Sequence, residues 1–191
     1  MRRVPLLLAL ALVFPGSALA AGPQTFATFK AFCVDHVGDQ PAILSAAGAQ
    51  GFSLDENPGA NGKPDPGTVV KWGDDGEQML SVSTTTMPAK ASAPEATRTM
   101  CAFLQDNRPD ADLLNEATLW AGVAEDPDHL QDETAAFIFT VADDGRHLPI
   151  GQSDAKAVKA VRNGGLWMLI VKRDPKTPSL MLTYLRAKPT S

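Results

Sequence analysis

Aromatic residues are scarce in this chain: they make up 6% of it, with one tyrosine and three tryptophans. That leaves too little ring surface for a sugar-stacking cleft. Histidine occurs three times, and no pair has the His-x-x-x-His or His-Glu-x-x-His spacing that sets two imidazoles on one helix face around zinc. Cysteine occurs twice, at Cys33 and Cys101, 68 positions apart. That separation excludes a Cys-x-x-Cys redox pair, and two thiolates are too few for a structural zinc site. Positive charge is in deficit, with 17 basic against 22 acidic side chains. A nucleic-acid binder would carry a basic patch or stripe, and a negative chain is repelled by anionic lipid. The mature chain has no Gly-x-Ser-x-Gly elbow, no phosphate-binding glycine motif, and beyond residue 20 no apolar run of membrane-spanning length.

What is present begins with an export leader. Arg2 and Arg3 form a positive segment, Val4 to Phe14 an apolar one, and Pro15-Gly16 breaks the helix. Ala18-Leu19-Ala20 then puts small residues where a signal peptidase reads, which predicts cleavage between Ala20 and Ala21. The apolar segment is about 11 residues against the ~20 a permanent span needs, so it is expected to be removed rather than kept as an anchor. The first cysteine is Cys33, far from the lipoprotein position, and Pro5 stands where a twin-arginine signal wants a bulky apolar residue. General secretion to the periplasm or the exterior is the expectation. Loss of residues 1–20 takes two arginines and no acid, leaving 15 basic against 22 acidic groups, a net charge of −7. The remaining 171 of the 191 residues suffice for one soluble domain, 21–191, with a real core. An even cysteine count in an exported chain points to one Cys33–Cys101 disulfide rather than a reactive thiol.

Apolar spacing predicts a helix over 24–37 with Phe26, Phe29, Cys33 and Val37 on one face, stopped by Gly38. Asp39 caps a second helix with Pro41 in its first turn and Gly51 at its end, making a helical hairpin. Residues 52–67 read as a loop. Strands follow at 68–72 and 77–85 around Gly73-Asp74-Asp75-Gly76, with Met79 to Ser83 alternating only in part. A strand over 96–105 sets Met100, Ala102 and Leu104 on one face and Cys101 and Phe103 on the other, so a disulfide would pin the first helix to the Cys101 face. A helix over 109–122 begins with Asp110 and Asp112, which complement its dipole. Further strands are expected at 135–141 and 146–150, a short helix over 154–161 capped by Ser153, and a terminal hairpin of 166–172 with 180–186. Helices first and hairpin-paired strands after give an α+β domain, an N-terminal helical hairpin on a mostly antiparallel sheet.

The candidate chemistry is thin. His36 stands between Asp35 and Asp39, a candidate base or metal ligand, yet a histidine closing a helix also serves its dipole. His129 lies among Asp126, Asp128, Asp132 and Glu133, the composition of a solvated loop, and His147 follows a turn beside Arg146 and is expected at the surface. Ser153 and Lys156 have the Ser-x-x-Lys spacing, which a helix cap explains. Asp55 to Gly62 departs from the EF-hand pattern of alternating ligands and a final glutamate. Trp72, Trp120 and Trp167 read as core or core-edge residues. No catalytic residue, metal ligand or cofactor site is assigned.

Phe29-Lys30-Ala31-Phe32-Cys33, then Gly38-Asp39-Gln40-Pro41-Ala42 and Ala46 to Phe52, resemble a loose group of uncharacterised exported two-cysteine proteins of Gram-negative bacteria. In that group a cysteine-bearing helix precedes an alanine-rich helix ending in Gly plus an aromatic, the place Phe52 takes here. The resemblance covers about 25 residues and implies a periplasmic location without an activity. The expectation is a non-catalytic accessory domain binding a protein or small ligand of the cell envelope, without nucleic acid and without a membrane span. The alternative is an envelope hydrolase with a site its motifs do not reveal. A pocket converging His36 with Asp35 or Asp39 would favour the hydrolase, and a flat apolar patch the binder.

Overall fold

The computed structural model describes residues 25–57, 63, 65–73, 76–106, 110–127, 134–150, 154–174, 176 and 178–189. The leader, its Ala20-Ala21 junction, His129 and Ser153 lie outside the described residues.

The first helix, α1 (Thr25–Phe29), runs into a π-helical turn, Lys30–Val34, and ends three residues before the expected Val37. The five-residue π turn carries Phe32 and Cys33, which with Phe29 are fully buried. Residues 35–38 form a turn closed by Gly38 at φ +81°, and α2 (Gln40–Ala49) follows. Asp39 caps α2 as expected, its carboxylate accepting the Ala42 N–H at 3.0 Å. The hairpin is thus a looser pair than two regular helices.

Eight strands make one antiparallel sheet: β1 (Ser53–Leu54), β2 (Thr68–Gly73), β3 (Gly76–Met87), β4 (Ala96–Gln105), β5 (Thr134–Val141), β6 (His147–Pro149), β7 (Leu166–Lys172) and β8 (Ser179–Ala187), in the order β1-β2-β3-β4-β8-β7-β5-β6. The expected loop at 52–67 therefore contains a short edge strand, Ser53–Leu54, paired with Val70 and Val69. Gly73 and Gly76 pair in register, which confirms the predicted hairpin. At Gly67 the structure requires a glycine. Its carbonyl accepts the Val82 N–H at 2.7 Å, and a Cβ there would run into the Val82 carbonyl oxygen, which takes a hydrogen bond from the Gln40 side chain.

The two faces of the sheet differ. Register puts Leu80, Val82, Cys101, Phe103, Leu182 and Leu169 on one face with Phe137 and Phe139. Under α1, the π turn, α2 and α3 (Leu113–Ala121) these form a single core. Cys33 and Cys101 are joined there, Cα atoms 5.6 Å apart, so the π turn is fastened to β4 in mid-sheet. The other face carries α4 (Asp154–Asn163), packed on β8 and β7. Among the described residues no helix is long and apolar enough to cross a membrane.

The start of α3 has an electrostatic fault. Asp110 is buried, one carboxylate oxygen accepting the Asp112 N–H at 3.2 Å and the other without a partner. Both aspartates precede the helix, and Glu116 sits in its first turn. Partial burial, then the charges of Asp110 and Asp112, push the Glu116 carboxyl above the ordinary glutamate range. A raised folded pKa means this group's contribution to stability is full below the unfolded pKa of about 4.3 and is lost as pH rises through the folded value. Glu116 is exposed and its repulsion is screened by solvent, so in thermal melts Glu116→Gln is expected to raise stability by under ~0.5 kcal/mol at pH 7 and to leave it unchanged at pH 3.5. A loss of stability at pH 7 would contradict this account.

Candidate functional site

Among the described residues, His36 and His147 are not gathered into a reaction centre. His36 lies in the turn between the first two helices, with Asp35 and Asp39 exposed and the Asp39 carboxylate engaged as a cap. His147, expected at the surface, is instead half-buried. It pairs with Val141, which turns its ring onto the core face of the sheet. There it stacks on Phe139 at 4.3 Å and meets Trp120 edge-on at 4.7 Å. Its Nδ1 lies 3.0 Å from the Ala121 carbonyl, which can only accept, so Nδ1 carries the proton. The imidazole closes the last turn of α3 and completes the core edge.

Trp120 and Trp167 lie on either side of Phe139, at 5.7 and 6.0 Å, as core-edge residues, whereas Trp72 is 68% exposed on β2. Asp55 is used within its own loop, accepting both the backbone and side-chain N–H groups of Asn57. Lys156 is exposed on α4. Both sulfurs are in the disulfide, and the described residues hold no group of three or more His, Cys, Asp or Glu placed to take a metal ion.

The feature that does stand out is the second face of the sheet. Met79 pairs with Leu104, Met87 with Ala96, Met100 with Thr183, Met168 with Ile138, and Met181 with Ala102. All five therefore point to the face opposite the core, and all five are half-buried. The seven described phenylalanines, by contrast, are buried. The core thus takes rigid rings and the other face takes flexible thioethers, which repack at low cost around different shapes.

Beyond α4 this face dips into an open groove of about 330 Å³. Met79, Ala102, Leu104, Ile170 and Met181 form its apolar floor, with Lys172 at the end of β7 on its lining. The alternation of β4 carries part of this signal, since Met100, Ala102 and Leu104 share a face in the sequence pattern. The match of the same parity across four strands depends on the pairing of β4 with β8, which no local pattern gives. Comparison of the chain with known protein families, with curated proteins and with solved structures finds no match.

Proposed function

We propose that the mature chain is an exported accessory domain, periplasmic or secreted, that binds an apolar ligand or protein segment on its methionine-bearing face and carries out no reaction of its own. The leader pattern of Arg2-Arg3, the apolar run and Ala18-Leu19-Ala20 supports export, and a disulfide suits an oxidising compartment. The observation that carries the binding reading is the placement of all five described methionines, half-buried, on the face opposite the core. Met-rich apolar surfaces are the adaptable ones, and proteins use them where one site must fit variable partners.

Methionine methyl groups labelled with carbon-13 report this face directly. Protein and lipid fractions of the native envelope, added separately to the mature protein, are expected to shift the Met79 and Met181 resonances with at least one fraction. Five resonances unmoved by either fraction would overturn the reading. N-terminal sequencing of the exported protein is expected to begin at Ala21, and retention of Met1 would remove the export part.

A further inference from the structure

Arg98 stands on the same face as the methionines, in register with Thr85 on β3 and Leu185 on β8. It is half-buried, its Nε is shielded from solvent without a hydrogen-bond partner, and none of the ion pairs among the described residues includes it. A guanidinium is always charged, and with Nε shielded its terminal N–H groups are the donors an external anion can meet. Its neighbour Leu185 lines a cavity with Val158 and Val161 of α4, so the cation sits at the flank of that helix. The α4 lysines Lys156 and Lys159 line a different cavity, against β5 and β6 together with Asp143, so Arg98 stands as the cation that borders the methionine track.

From Arg98 the exposed face of β4 continues through Met100 and Ala102 to Leu104. Serines at 81 and 83 keep the β3 side of that track low, and Met79 and Met181 wall its far end in the groove. The six steps of strand from Arg98 to Leu104 span about 20 Å, the length of an extended acyl chain of about 16 carbons.

Taking as given the proposed binding role of this face, we infer that it holds a free single-chain amphiphile with an anionic head: the carboxylate on Arg98 and the tail laid along β4 into the groove between Met79 and Met181. The head group makes a charge-assisted hydrogen bond to the guanidinium and the tail takes up thioether and Leu104 contacts. The track follows one strand, the width of a single chain, so the ligand is a free molecule rather than a membrane surface.

The test is titration of the mature protein with hexadecanoate and with hexadecan-1-ol, below their aggregation limits, followed by calorimetry and by the methionine methyl resonances. Hexadecanoate is expected to bind one to one, to move Met79, Met100 and Met181, and to bind about tenfold tighter than the alcohol, the loss of one charge-assisted contact. Arg98→Gln is expected to bring the acid down to the affinity of the alcohol. Equal binding of acid and alcohol by the unmodified protein would overturn the head-group site, and that comparison stands even if the variant does not fold. Co-sedimentation with phosphatidylglycerol vesicles in place of one-to-one uptake would overturn a free ligand. Resonances that respond to an envelope fraction but not to hexadecanoate would overturn this inference and leave the binding role intact. If neither moves them, both fall.

Discussion

Replacing Cys33 and Cys101 together is expected to lower the stability of the mature protein by up to about 4 kcal/mol, the value for freeing a loop of this length in the unfolded chain. In a domain of this size that is a fall of about 10 °C in the thermal midpoint. The bond links the π turn to β4, and β4 lies in mid-sheet between β3 and β8. Losing it loosens the N-terminal helices from the sheet without touching the methionine face, because Cys101 points to the core side. Both positions are almost fully buried, so serine would add the cost of shielded hydroxyls to that of the lost cross-link. The paired alanine variant removes the bond without them, and it is expected to lie between the unmodified protein and the serine pair in urea unfolding. Hexadecanoate binding by the folded alanine pair is expected to be unchanged. Two titratable thiols in protein isolated from its native compartment under denaturing, non-reducing conditions would contradict the premise.

The fold is legible in the sequence where local pattern and tertiary environment agree. Strand β4 spans residues 96–105 as its alternation predicts, and Asp39, Pro41 and Gly51 bound α2 as their chemistry requires. It is not legible where a distant partner decides. The π turn at Lys30–Val34 carries apolar residues at helical spacing, which periodicity alone reads as an ordinary helix. Ser53–Leu54 is a strand only because β2 lies beside it, and two residues leave no readable pattern. His147 is drawn inward by pairing with Val141 and by the Ala121 carbonyl, neither visible from the turn that precedes it. The groove was hidden for another reason. Counting Met79 as apolar alongside Leu80 makes β3 look only partly alternating. Register shows full alternation, with Leu80 and Val82 in the core and Met79 and Ser81 facing away from it.

The division of the sheet into a rigid and an adaptable face is expected to show most sharply at two adjacent residues of β4. Phe103 is completely buried, faces the core and lies 6.5 Å from the Phe32 ring. Phe103→Ala removes a large ring from a packed interior and leaves a cavity that the helices above cannot fill without breaking their own contacts. The expected loss is about 3–5 kcal/mol, enough to threaten folding of a domain whose total is typically ~5–15 kcal/mol. Leu104 is half-buried on the opposite face and lines the groove. Leu104→Ala gives up only part of a side chain's burial, and its site can collapse or fill with water, so the expected loss is about 1 kcal/mol. Ligand binding should respond in the reverse order: hexadecanoate affinity falls for Leu104→Ala, whereas any Phe103→Ala protein that still folds keeps it. Urea unfolding of both variants, with the unmodified protein alongside, measures the contrast. Equal losses at the two positions would mean that both faces are packed alike, and the methionine side would then be a second core rather than a binding face.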